Sequence, residues 1–228
     1  MENDVVLKMQ GIWMTFPGVK GLAQAGLTLK KGEIRALMGE NGAGKSTIIK
    51  CLTGVNKFEA GEIYLDGFEG PITNRDTMDA QSKGISTVYQ EVNLCPNLSV
   101  AENIYIGRAP LTKFRTVDRK QMNARAKKLM EELDLIIDLT ANVENYSLAL
   151  QQMIAIARAI DMDCKVLILD EPTSSLDARE VEKLFQVMLN LKKKGVGIIF
   201  VTHFLDQVYA VCDGITVLRN GQLVGEYT

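Results

Sequence analysis

Short apolar runs rich in β-branched residues punctuate this chain, and segments with a helical repeat lie between them. Ile34 to Met38, Ile85 to Tyr89, Val166 to Asp170 and Gly197 to Thr202 are the clearest runs. Runs this short, apolar at successive positions, read as strands covered on both faces. From Glu180 to Lys194 the pattern differs. Val181, Leu184, Phe185, Met188 and Leu191 recur at spacings of three and four, which places them on one side of a helix, and Gly195 follows as a stop signal. Buried strands alternating with helices predict an α/β fold, a parallel sheet with helices on both sides.

Two regions depart from that pattern. Residues 1–32 read as short strands and turns, with Pro17-Gly18 and Lys31-Gly32 as breakers, and predict an N-terminal antiparallel β sub-domain. Residues ~95–160 have little strand character and predict an inserted helical sub-domain. Ile215 to Tyr227 reads as a hairpin turned by Asn220-Gly221. With no internal repeat and no low-complexity linker, residues 1–228 form one domain in this reading.

Composition narrows the possibilities. Of 228 residues, 46% are hydrophobic and 24% charged, as in ordinary globular domains. A net charge of -2 argues against a basic nucleic-acid binder. Cys51, Cys95, Cys164 and Cys212 are scattered, which fits free thiols in a reducing cytoplasm better than a disulfide framework or a zinc site. The opening Met-Glu-Asn-Asp has no leader pattern. No apolar run approaches the ~20 residues that cross a bilayer. A membrane role would therefore run through a partner.

The chemistry concentrates in two stretches. Gly39-Glu40-Asn41-Gly42-Ala43-Gly44-Lys45-Ser46 is G-x-x-x-x-G-K-[ST], placed after a predicted strand and before a predicted helix. Glycines let the backbone curl so that successive N–H groups face phosphate oxygens, and the helix start adds its positive end. Lys45 would reach the β and γ phosphates, Ser46 would ligate Mg²⁺, and Thr47 would add a contact at the α phosphate. The second stretch, Val166 to Glu171, is a strand that ends in two acids. It would deliver them to the carboxyl edge of the sheet, where ligands of open α/β folds bind. Asp170 would hold Mg²⁺ through its water shell, and Glu171 would orient or deprotonate the attacking water.

The order of further segments narrows the family. Pro172-Thr173-Ser174-Ser175-Leu176-Asp177 follows the acids. Upstream, Tyr146-Ser147-Leu148-Ala149-Leu150-Gln151-Gln152 runs into Met153 to Ala159. Gln90 ends a strand between these blocks, and His203 follows Val201-Thr202. Over essentially its whole length the chain resembles the ATP-binding cassette family, with a P-loop NTPase (RecA-like) core. The resemblance implies that Phe16 stacks on adenine. It also implies that Gln90 senses Mg²⁺ and the γ phosphate, that Asp177 communicates across a dimer interface, and that His203 hydrogen-bonds the γ phosphate. Glu91 to Ser99 would face a membrane partner. The family's Leu-Ser-Gly-Gly-Gln signature keeps only Ser147 here. Ala149 would add a methyl where the backbone must come close to the partner's ATP, and Leu150 would remove a polar contact, so the site offered to a partner should be weakened.

Phe16 to Lys20, Gly39 to Thr47 and Gln90 to Leu94 resemble the carbohydrate-import branch. Thr202 to Tyr209 looks most like ATPases of galactofuranose uptake, although Phe204 and Tyr209 also read as plain packing on the last helix. The branch usually carries two cassettes in one chain. The resemblance therefore implies a second cassette, transmembrane permease subunits, an extracytoplasmic sugar-binding protein indirectly, and a place at the cytoplasmic face of a bacterial membrane. It implies no nucleic acid. Other readings fit less well. A DNA-repair cassette would need long heptads between the two motifs, and none is present. A non-catalytic regulatory module would be expected to lack Glu171 or His203. A nucleotide kinase would need an arginine-rich lid.

Overall fold

The computed structural model describes residues 4–90 and 93–228. The chain begins with two long strands, β1 (Val5–Phe16) and β2 (Val19–Lys30), paired antiparallel across Pro17-Gly18. The short strands expected here are thus single twelve-residue ones. The register shifts several times along β1, and Gly11 (φ 61) and Gln24 (φ 60) adopt left-handed backbone. Each shift breaks the alternation of inward and outward side chains, so one bent strand reads as pieces. β3 (Ile34–Met38) then leads into α1 (Lys45–Leu52), and β4 (Ala60–Leu65) returns to pair with β1. The first sheet has the order β2-β1-β4.

The remaining elements are α2 (Thr77–Ser82), β5 (Ile85–Val88), α3 (Val100–Ile104), α4 (Arg119–Glu132), α5 (Leu148–Ile160) and β6 (Val166–Asp170). After them come α6 (Ala178–Lys193), β7 (Gly197–Val201), α7 (Leu205–Val211), β8 (Gly214–Arg219) and β9 (Gln222–Tyr227). The second sheet has the order β5-β6-β7-β3-β8-β9. Neighbours from β5 to β8 are parallel, and β9 is antiparallel to β8. Asn220 (φ 50) and Gly221 (φ 75) turn the terminal hairpin, as two-residue turns with both residues left-handed do. Helices α3 to α5 occupy the segment between β5 and β6, as expected.

Alternation within the strands divides the core. Leu167, Leu169, Ile198 and Phe200 point into a cluster formed with α3 to α6, while Val166, Ile168, Ile199 and Val201 point into a second. That second face is not covered by helices alone. It is shared by α1, Ala80 of α2 and the antiparallel sheet. Burial of each such side chain contributes about 1.5–3 kcal/mol. No helix among the described residues is long and apolar enough to cross a membrane.

Candidate functional site

The loop from Gly39 to Gly44 joins β3 to α1, and its shape rests on glycine. Gly39, Gly42 and Gly44 have φ of 151, 82 and 103. A Cβ at Gly39 would collide with the Leu218 carbonyl, and one at Gly44 would lie 2.9 Å from the Leu22 side chain. Helix α1 begins with no side-chain cap and no acid in its first turn, so its positive end is uncompensated, which suits an anion. The Lys45 ammonium folds back over the loop and donates to the carbonyls of Gly39 (2.7 Å) and Glu40 (3.1 Å). Asn41 to Thr47 line a cleft of about 290 Å³. Gly39 and Glu40 contribute those two carbonyls and do not line it.

Asp170 and Glu171 line the same cleft. Asp170 ends β6 opposite Val201 of β7, and the Glu171 amide donates to the Val201 carbonyl at 3.0 Å. That bond holds Glu171 in left-handed backbone (φ 48), unusual for a residue with a Cβ. Burial raises the Asp170 pKa above its ordinary value, and the Glu171 charge raises it further, against the opposing pull of Lys45 and Lys50. A carboxylate in that position gains from a nearby cation. Among the described residues no cluster of three His, Cys, Asp or Glu side chains forms a cage for an ion. Two carboxylates and the Ser46 hydroxyl suit Mg²⁺, which keeps several of its waters.

Phe16 forms the cleft wall with Val19, Lys20 and Gly21. A Cβ on Gly21 would lie 2.8 Å from the Phe16 ring, so glycine leaves that ring its place. His203 does not line the cleft. It is exposed, its Nδ1 lies 3.8 Å from a Glu171 oxygen, and its ring rests against Phe204 at 4.1 Å. Gln90 also lies off the cleft wall. Its side chain donates to Ser174 at 3.4 Å, and its carbonyl accepts from Gln152 at 3.3 Å. Glu91 and Val92 fall outside the described residues.

Ser147 and Asp177 lie away from this cleft, each at a helix start. Ser147 caps α5 and is exposed. Asp177 accepts from the amides of Arg179 (2.8 Å) and Glu180 (2.9 Å) in a reciprocal capping box on α6. Ala149 is only 2% exposed, and Leu150 is partly buried against the core, so both departures from the signature lie on the inward side of α5. What the segment presents outward is Ser147 and Leu148. Phe204 and Tyr209 are exposed, so neither packs in the core.

Sequence reasoning missed Gly21 on the cleft wall and Gln207 behind it. Gln207 accepts from the hydroxyls of Thr173 (2.7 Å) and Thr202 (3.2 Å), tying the loop after Glu171 to the loop before His203. The pairing of Phe16 with Gly21 carries no signal in spacing, because the β1–β2 hairpin creates it.

A family model described as ABC transporter matches residues 22–174, most of the chain and both phosphate-side motifs. The chain belongs to the ABC transporter family. Among its ABC transporter relatives, a galactofuranose transporter ATP-binding protein of Escherichia coli (strain K12) is 53% identical over 98% of this chain. A fructose import ATP-binding protein of Bifidobacterium longum is 52% identical over 99%, and a ribose import ATP-binding protein of Hahella chejuensis is 44% identical over 97%. The chain spans 44% of the length of each of these relatives. A nucleotide-free ATP-binding cassette from an ABC transporter superposes with a TM-score of 0.85 at 27% identity, over 97% of this chain and 90% of that one. An ADP conformation of an ATP-binding cassette superposes equally well, with the same TM-score, identity and coverage.

Proposed function

We propose that this chain binds Mg-ATP in the cleft and hydrolyses it, as an energising subunit of a sugar importer. The observation that carries the reading is the meeting of Lys45 with Asp170 and Glu171 at one cleft. The names of the sugar-import relatives support the transport role.

In this reading Phe16 stacks on adenine, and the amides from Gly39 to Thr47 hold the phosphate oxygens. Lys45 leaves its two carbonyls for the β and γ phosphates. Ser46, Gln90 and Asp170 would hold Mg²⁺, which offsets phosphate charge when bound. Glu171 orients a water and takes its proton. His203, beside Glu171, hydrogen-bonds the transferred phosphoryl group. Fixed positive groups at the developing charge lower the barrier, and little covalent chemistry is needed.

The proposal includes partners. A second cassette would set its signature serine against this cleft, while Ser147 serves the partner's ATP and Asp177 lies at the contact. A dimeric solved cassette supports that arrangement, at a TM-score of 0.79 and 25% identity. The second cassette would belong to the same longer chain. Transmembrane permease subunits would dock on the cytoplasmic side around Glu91 to Ser99, and a sugar-binding protein would act on the far side. Galactofuranose is the sugar favoured by the Thr202 to Tyr209 stretch. ATP would close the two cassettes, and hydrolysis would reopen them, a two-state element biased by the γ phosphate.

Equilibrium binding and phosphate-release measurements test this. Lys45→Ala should abolish tight ATP binding. Glu171→Gln should bind ATP as wild type does and stop turnover. Wild-type turnover in Glu171→Gln would overturn the assignment of the base.

A further inference from the structure

The turn between α3 and α4 holds apolar side chains that the fold does not use. Phe114 is 90% exposed, and Leu111 and Val117 are about half exposed. The turn is closed by its own bonds. Leu111 and Val117 form a β-bridge. The Thr112 amide donates to the Thr116 carbonyl at 2.8 Å, and the Arg115 amide to the Thr112 carbonyl at 3.0 Å. The Thr112 and Thr116 hydroxyls pair at 2.8 Å, and the Phe114 amide reaches Thr112 Oγ1 at 3.2 Å. At the base, the Asp118 amide donates to the Pro110 carbonyl at 2.8 Å. Isolated exposed apolar residues need no explanation. Three on one small hydrogen-bonded hairpin, with the aromatic at its tip, are a different matter.

The charges that flank the tip itself are positive. Lys113 and Arg115 flank Phe114, and Arg119 and Lys120 follow at the start of α4. Lys113, Arg115 and Lys120 make no ion pair among the described residues, and Arg119 reaches Glu102 only at 3.5 Å. The nearby Asp118 is engaged as the α4 cap, accepting from Gln121. These cations gather on a chain whose net charge is -2. An apolar tip ringed by cations complements a surface that is anionic outside and apolar just beneath. An anionic phospholipid interface is such a surface. Aromatic rings settle at headgroup depth, and each nearby Lys or Arg adds attraction to the anionic surface.

The geometry points to the Leu111–Val117 turn as a membrane-touching finger that seats Phe114 among anionic lipid headgroups. This contact is independent of nucleotide hydrolysis. The test is co-sedimentation of the 228-residue chain with vesicles of mixed phosphatidylglycerol and phosphatidylcholine, against phosphatidylcholine alone. Binding should require the anionic lipid and weaken with salt. Lys113→Glu with Arg115→Glu should lower the partition coefficient about tenfold or more. Phe114→Ala should lower it several-fold, and the exposed control Met78→Ala should leave it unchanged. All variants should melt with wild type, since these side chains pack on nothing. Phe114→Trp should show a blue-shifted emission with anionic vesicles only. Three outcomes would overturn the proposal: no binding to anionic vesicles, binding that survives both finger variants, or equal finger-dependent binding to soluble polyglutamate or an RNA homopolymer.

Discussion

Glu171 combines a strained backbone with a chemical role, and the two are separable. Left-handed backbone costs a residue with a Cβ roughly 1–2 kcal/mol. Relative to Glu171→Gln, which keeps the shape and removes the charge, Glu171→Gly should be equally stable or up to about 1 kcal/mol more stable in denaturant. Glu171→Val should be the least stable of the three. If glycine proved the worst, the strain would not be real. Asp170 makes a pH prediction. Its folded pKa is raised, so the folded protein holds this proton to higher pH than the unfolded chain does. The group costs nothing below the ordinary carboxylate range, and stability falls as pH rises from there through the folded value. Asp170→Asn should therefore be more stable than wild type at neutral pH in metal-free buffer, with the difference vanishing in acid. A less stable Asn variant at pH 7 would count against the raised pKa. At this scale the phosphate loop was legible, because its chemistry is written in consecutive residues. The inward direction of Ala149 was not, because it depends on where α5 starts.

At the scale of elements, Asp177 shows how a capping residue mimics a purely functional one. The Asp177-x-x-Glu180 spacing is a capping box, and the structure forms it at the start of α6. Asp177→Ala should lower unfolding stability by about 1 kcal/mol, while Asp177→Ser keeps the cap and most of the stability. Any loss of cassette association in the serine variant, measured beside its melting curve, would belong to the dimer contact alone. Equal stability of the two variants would remove the capping role. The strands β3, β6 and β7 were readable because burial on both faces makes them continuously apolar. The strands β1 and β2 were not readable at full length, because bulges interrupt their alternation. Of the site's supports, Gln207 was hidden, since its bonds join loops that only the sheet brings together.

At the scale of the whole molecule, the open question is what completes the cleft. If the second cassette belongs to the same longer chain, Glu171→Gln should bind Mg-ATP and still sediment as a monomer. A dimer formed only with Mg-ATP would mean instead that Ser147 of a second copy completes the cleft.

The terminal hairpin bears on the phosphate loop in another way. The Gly221 amide donates to the Ala43 carbonyl at 2.9 Å, and the Gly221 carbonyl accepts from Ala23 at 2.7 Å. Gly221→Ala, with its new methyl 2.7 Å from the Gly21 carbonyl, should weaken ATP binding although residue 221 lies outside the cleft; unchanged affinity would mean the brace is dispensable. The loop is translated well ahead of its brace, since residues 39–44 precede Gly221. A nascent chain stalled before Gly221 should therefore carry every phosphate-binding residue and still hold ATP poorly, which would delay nucleotide capture until the β8–β9 turn has been made.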